Sequence, residues 1–125
     1  MSSITEYLDP FFDLMGNEDR RIIVFSLHGS EYIRHHETDD PPPTGCLKTS
    51  EIGRIIEKDR SSTLYHLGKL EEGGLIERFS RLQKGQAVLM WKITKKWLEF
   101  VDEFNLDSII REYLKERYPN LYINQ

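Results

Sequence analysis

Apolar residues recur at helical spacing along most of the chain and alternate in one central stretch, which predicts a mainly helical domain with a small sheet. A terminal helical segment over residues 3–15 includes an Asp-Pro step, typical of a helix start. A second helix starts near Asn17 or Asp19. Residues 22–27 of that helix include five apolar residues, too many for one narrow stripe, so we expect it to be mostly buried.

Two short helices follow a proline-rich loop at residues 35–45 and predict a helix-turn-helix. Thr49 or Ser50 caps the first helix, and Asp59 caps the second, which ends at a Gly-Gly pair after Glu72. The apolar faces of the two helices are formed by Ile52, Ile55 and Ile56 and by Leu64, Leu67 and Leu70. The opposite faces are then free to contact a partner.

The spacing changes from helical to alternating after these helices. Residues 75–82 and 87–93 are two runs rich in β-formers, and a glycine-containing turn at 83–86 separates them. The runs predict a hairpin with one face on the core. Thr94 then caps a second terminal segment over residues 95–118, which contains two helices.

This order predicts a single winged helix-turn-helix domain over residues 1–125, of the mainly α (α+β) class, with extra N- and C-terminal helices and a two-stranded wing. The single cysteine, Cys46, excludes an intrachain disulfide and favours a reducing cytoplasm. Residues 1–16 lack the basic start of a secretory signal. No apolar run approaches the about 18–20 residues of a membrane span, so no membrane association is expected.

The distribution of charge modifies this picture. The whole chain has a formal charge of −4, which disfavours a nucleic-acid partner. Residues 48–96, however, carry 11 basic and 6 acidic residues, and both flanking segments are acidic. A basic middle between acidic ends favours one anion-binding face.

Two segments resemble ArsR-type winged-helix transcriptional regulators, a class that includes arsenic- and metal-resistance repressors. Residues 14–27 resemble the opening L-x-G-[DN] step and the helix after it. Residues 50–52 and 62–76 resemble the pattern S-x-x-x-H-L-x-x-L-x-x-x-G-L-[IV], and residues 89–94 are similar to the strand that leads into the last helices. The resemblance implies DNA binding and pairing of the first and last helices across a two-fold axis.

The chain departs from that family in two places. Metal-sensing members carry a cysteine pair near the start of the helix before the recognition helix, whereas residues 48–51 read KTSE. The resemblance therefore does not extend to soft-metal sensing, and no metal or other cofactor is predicted. The loop at 35–45 is longer than the usual link, and its adjacent histidines lack the preorganised geometry of a metal site.

The second helix of the helix-turn-helix is the candidate DNA-reading element. Opposite its leucines it presents hydroxyls, a phenol and cations that can reach base edges and phosphates, and its first-turn amides favour a phosphate. The wing adds basic residues that can neutralise backbone charge. The predicted DNA-binding residues are Arg60, Ser61, Ser62, Tyr65, Lys69, Arg81 and Lys84. The plainer alternatives are a solvated helix face and charges that keep an edge strand soluble.

Aromatic residues cluster at the two ends of the chain, and a small winged-helix core cannot cover all of them. The terminal segments are therefore predicted to form a homodimer, with an interface formed by Phe11, Phe12, Trp97, Val101, Phe104, Ile110 and Leu114. The alternative is an enlarged core within one chain. His28 lies on a helix and is expected to be structural, and His66, at the edge of the face opposite the leucines, is expected to be a packed or capping residue.

The sequence therefore favours a cytoplasmic, sequence-specific regulator that binds double-stranded DNA as a homodimer, without an identifiable effector site. No Ser–His–acid set, phosphate loop or dinucleotide motif is present, so no enzymatic activity is predicted. The rival hypothesis is a winged helix that binds protein in a transcription or assembly complex, motivated by the net negative charge.

Overall fold

The computed structural model describes residues 11–29 and 46–117, and its element order is that of a winged helix-turn-helix. The elements are α1 (residues 11–15), α2 (Glu18–His28), β1 (Cys46–Lys48), α3 (Thr49–Ile56), α4 (Arg60–Glu72), β2 (Ile76–Gln83), β3 (Gln86–Ile93), α5 (Lys95–Glu103) and α6 (Asp107–Arg117). The predicted fold class is confirmed. The 35–45 loop lies outside the described residues.

Three helices begin at the capping residues that the sequence indicated. The Asn17 side chain accepts a hydrogen bond from the Arg20 amide at 3.1 Å, and the Thr94 hydroxyl accepts one from the Trp97 amide at 3.3 Å. Asp59 caps α4 in the same way. The exception is α3, where Lys48 is the N-cap and its backbone N–H donates to the Glu51 carboxylate at 2.9 Å. A side chain within the first turn thus replaces the expected hydroxyl cap.

The sheet has three antiparallel strands in the order β1-β3-β2. The predicted wing hairpin is β2–β3, joined by Lys84 and Gly85, whose φ values of 52° and 77° are those that a tight two-residue hairpin turn requires. The third strand, β1, pairs Cys46 with Lys92 and was not predicted, because three residues are too few to show alternation. It fastens the wing to the start of α3.

The core is built around α2, as its apolar content predicted. Ile22, Ile23, Val24 and Leu27 are all buried there, together with Trp91 of β3 and Trp97 of α5. The Trp91 indole N–H donates to the Thr49 hydroxyl at 2.9 Å, so this large side chain is buried with its polar atom satisfied. The helix-turn-helix and the wing therefore rest on one shared core.

His28 links three helices, α2, α5 and α6. Its Nε2 lies 2.7 Å from the Asp107 carboxylate at the start of α6, and its Nδ1 accepts from the Trp97 indole N–H at 3.0 Å. Because Nδ1 is an acceptor, the ring proton lies on Nε2, where it can be donated to Asp107. The structural role expected of His28 is confirmed.

Candidate nucleic-acid interface

Helix α4 has one face in the core and one face in solvent. Thr63, Leu67 and Leu70 are buried, and Leu64 is partly buried against the same core. The opposite face carries the predicted recognition residues: Arg60, Ser61, Tyr65 and Lys69 are exposed, and Ser62 is half-buried. Tyr65 keeps 60% of its surface exposed. The five residues predicted on this helix therefore lie together on one accessible surface.

The start of α4 is already occupied by the chain's own carboxylate. The Asp59 side chain accepts a hydrogen bond from the Ser62 amide at 2.8 Å, and the Thr63 hydroxyl donates to the Asp59 carbonyl at 2.7 Å. The bond from the Ser62 amide lowers the pKa of Asp59, so the group is charged at neutral pH. The Ser62 amide is therefore not available to a phosphate, and for the other first-turn amides the expected phosphate contact stays a prediction.

The middle of the exposed α4 face combines an aromatic ring and a cation. The Lys69 ammonium lies 5.7 Å from the centre of the Tyr65 ring, one helical turn away. This contact holds both side chains over the outward surface. A phenol that can reach a base edge thus stands beside a cation that can reach a phosphate.

His66 belongs to the packed side of α4. Its side chain is largely buried, and its Nε2 lies 3.8 Å from the Asp19 carboxylate of α2. Burial lowers the pKa of His66, partly offset by the Asp19 charge, so the ring is held against α2 in its neutral form. The packing role expected of this histidine is confirmed.

Gly68 leaves a gap on the exposed side of α4. A Cβ placed there would meet no described residue within 4 Å beyond the neighbouring backbone of α4, whereas a Cβ at Gly53 in α3 would lie 3.2 Å from the Thr63 hydroxyl. Gly53 is therefore explained by helix packing, and Gly68 is not. A mid-helix glycine costs about 0.5–1 kcal/mol relative to alanine, and the packing of the described residues does not account for the one at position 68.

The wing places its two predicted cations differently. Lys84 lies at the hairpin tip and is exposed. Arg81 is half-buried, and one guanidinium nitrogen is buried with no partner among the described residues. Arg81 therefore holds its charge against the sheet, and Lys84 is the more accessible cation. Leu82, 76% exposed, adds an apolar side chain near the tip.

The predicted dimer residues separate into two groups. Trp97, Val101, Ile110 and Leu114 are at most 4% exposed, so they pack inside one chain and cannot present a surface to a partner. That part of the expectation is wrong, because helical periodicity identifies an apolar face without saying what covers it. Phe11 is half-buried, while Phe12 and Phe104 are 60% and 54% exposed. Leu98 and Ile109 are exposed large apolar residues that the sequence analysis missed.

Cys46 is buried in β1, and this burial raises the pKa of its thiol. The nucleophilic thiolate is therefore disfavoured. Within residues 11–29 and 46–117, no cluster of three metal-binding side chains occurs, and no helix has the length and apolarity to span a bilayer. The histidines and acids of the 35–45 loop lie outside these ranges.

No protein-family model matches the chain. Among curated proteins, a DNA topoisomerase 4 subunit of Rickettsia prowazekii is 34% identical over 101 residues, which cover 72% of this chain and 13% of that protein. The corresponding protein of Rickettsia felis is 32% identical over 104 residues, which cover 74% of this chain and 14% of that protein. The chain thus spans only 13% to 14% of the length of the curated relatives it matches.

Solved structures with this fold are more evenly matched in length. Reduced HlyU from Vibrio cholerae has a TM-score of 0.55 at 17% identity, covering 94% of this chain and 98% of its own. A transcriptional regulator homologue from Pyrococcus horikoshii has a TM-score of 0.56 at 17% identity, covering 90% and 98%. A MarR family regulator from Silicibacter pomeroyi has a TM-score of 0.56 at 17% identity, covering 95% and 66%. These likenesses establish the winged-helix fold and do not single out the ArsR type.

Proposed function

We propose that the chain is a sequence-specific DNA-binding transcriptional regulator that acts as a homodimer in the cytoplasm. The observation that carries the proposal is the exposed face of α4, which no described residue covers and which stands beside a hairpin with Lys84 at its tip. A helix-turn-helix places such a face in the major groove, with the wing over the flanking backbone.

The exposed side chains suggest a division of roles. Ser61, Ser62 and Tyr65 read base edges, since hydroxyls and phenols can both donate and accept hydrogen bonds. Arg60 and Lys69 neutralise phosphates on either side of the groove. At the wing, Lys84 makes the direct flank contact, and Arg81 adds positive potential from its half-buried position.

A second copy of the chain is the proposed partner of the apolar helical surface. Four aromatic rings form a continuous row across α1 and α5: Phe12 lies 5.7 Å from Phe11, Phe11 lies 4.5 Å from Phe100, and Phe100 lies 4.9 Å from Phe104. The two ends of this row expose apolar surface that association would bury. A two-fold pairing along it would set two α4 helices about one DNA turn apart.

The compared proteins support DNA as the partner through their names alone. Two of the solved structures are transcriptional regulators or a homologue of one, and the curated relatives are subunits of a DNA topoisomerase. The ArsR-type assignment rests on the sequence resemblance and remains part of the proposal. No catalytic activity is proposed from a match to about one seventh of an enzyme's chain.

Selection of binders from a random duplex pool, followed by gel shifts over a salt series, tests this function. Tyr65→Ala is expected to change the selected sequence, whereas Lys84→Ala weakens binding to all sequences and lowers the salt slope by about one. Lys115→Ala on α6 is the matched control, since it removes the same charge from a helix outside the helix-turn-helix and wing. If no duplex binds at low salt, the DNA hypothesis fails and the protein-binding alternative is favoured.

Sedimentation tests the dimer. A species of about twice the 14.8 kDa chain mass is expected at micromolar concentration. Phe104→Ser should shift it to the monomer, because Phe104 is exposed and the change leaves the core intact. A monomeric wild-type chain would contradict the dimer proposal and leave the assignment of α4 standing.

A further inference from the structure

An ion pair joins the end of α4 to the wing. The Arg78 guanidinium in β2 donates two hydrogen bonds to the Glu71 carboxylate, from Nε to Oε2 at 2.8 Å and from Nη2 to Oε1 at 2.6 Å. This two-point contact fixes the orientation of both side chains, which a single contact would not do. Arg78 also holds the pKa of Glu71 below its usual range, so the pair is fully charged at neutral pH.

The same arginine connects to the first helix of the helix-turn-helix. Arg78 lies directly across from Trp91 in the β2–β3 register, and its guanidinium carbon is 5.1 Å from the centre of the Trp91 ring. The Trp91 indole N–H in turn donates to the Thr49 hydroxyl at the start of α3. Contacts thus run without a break from α4 through both wing strands to α3.

We infer that Glu71 and Arg78 form a brace that sets the wing at a fixed position relative to α4, and that Arg78 positions the wing on DNA instead of binding a phosphate itself. This inference rests on the proposed function. Two of the three nitrogens of the Arg78 guanidinium group are already bonded to Glu71. A phosphate contact would therefore have to compete with a carboxylate held in ideal geometry.

Two adjacent glutamates, Glu71 and Glu72, allow a positioning role of Arg78 to be distinguished from a phosphate-binding role. The two roles predict opposite changes in DNA affinity when Glu71 is removed. Glu71 is paired with Arg78, whereas Glu72 on the same turn is exposed and has no ion pair within the described part of the chain. Removing either carboxylate deletes one negative charge from the end of α4, which by electrostatics alone strengthens the binding of DNA. Only removal of Glu71 also releases the wing.

The first experiment measures the affinity of a selected duplex for Glu71→Ala, Glu72→Ala and Arg78→Lys. The brace predicts about three- to tenfold weaker binding for Glu71→Ala and for Arg78→Lys, although the second variant keeps its charge. Glu72→Ala is expected to bind as tightly as the wild type or tighter. A double exchange, Glu71→Arg with Arg78→Glu, should recover part of the loss. If Glu71→Ala binds more tightly than the wild type, Arg78 has been released to a phosphate and the inference is wrong.

The second experiment measures the effect of the Glu71–Arg78 pair on the wing of the DNA-free protein. It therefore gives a result even if no duplex binds. Amide hydrogen exchange in the β2–β3 hairpin should be about two- to fivefold faster in Glu71→Ala than in Glu72→Ala, because an exposed ion pair contributes modestly to local opening. Equal exchange in the two variants would overturn the brace. Faster exchange in a protein that binds no duplex would uphold the brace and refute the DNA function.

Discussion

The substitution Gly68→Ala is expected to change the stability of the protein and its affinity for DNA in opposite directions. Apart from the neighbouring backbone of α4 itself, no described residue lies within 4 Å of the added methyl group. The substitution therefore relieves the backbone entropy cost of a mid-helix glycine without a clash in the described part of the chain. The expected gain is about 0.5–1 kcal/mol in the free energy of unfolding. For a chain of this size that corresponds to a rise of about 2–4 °C in melting temperature.

The same methyl group should weaken DNA binding. Gly68 lies one turn from both Tyr65 and Glu72 on the exposed side of α4, where the proposed interface requires a close approach of the duplex. A methyl group forced into a packed contact costs about 1–3 kcal/mol, or about five- to 150-fold in affinity. A stabilised protein that binds more weakly is therefore the expected outcome.

Thermal unfolding and fluorescence anisotropy with a selected duplex measure the two effects side by side. Gly53→Ala is the matched control, because its methyl group would press on Thr63 and should lower the melting temperature. Unchanged affinity in a stabilised Gly68→Ala would show that the duplex does not approach this part of α4. A destabilised Gly68→Ala would refute the structural argument itself.

Three further predictions concern the stability of the fold. Ser26→Ala should raise the free energy of unfolding by about 1 kcal/mol in urea denaturation, because the Ser26 hydroxyl is buried with no partner among the described residues. A loss of stability would show that this hydroxyl is hydrogen-bonded. Gly73→Ala should lower stability by no more than about 1 kcal/mol in the same assay. Its methyl group would lie 2.2 Å from the end of the Leu14 side chain, which is only half-buried and has to turn aside. A loss well above that value would show that Leu14 cannot move. Because the pKa of His66 is lowered in the folded chain, the unfolded chain takes up a proton on this residue at higher pH than the folded chain does. The contribution of His66 to the free energy of unfolding is therefore complete above pH 6.5 and falls as the pH drops below that value. His66→Gln should flatten this part of the pH–stability curve, and an unchanged slope would contradict the prediction.

The structural features that could be predicted from the sequence are those that depend on residues close together along the chain. Capping side chains at Asn17, Asp59 and Thr94 act within three residues of themselves, so their signals are local and survive folding. The same is true of the outward face of α4, since one buried stripe of residues defines the opposite side. The fold class and the exposed face of α4 could therefore be predicted from the sequence alone.

Features that depend on distant contacts could not be predicted in this way. The Glu71–Arg78 pair crosses a turn between a helix and a strand, and spacing along the chain does not reveal it. Trp97 was assigned to a dimer interface, yet its indole donates to His28, 69 residues away. An apolar helix face indicates burial, and only the packed structure shows whether the cover comes from the same chain.

Mapping of backbone amide NMR shifts during titration with a selected duplex tests the central claim most directly. The account predicts that the largest shifts lie along the exposed face of α4, at Ser61, Tyr65 and Lys69, with a second group at Lys84 in the wing. Shifts confined to α5 and α6, or a face of α4 that is unaffected by a bound duplex, would contradict it.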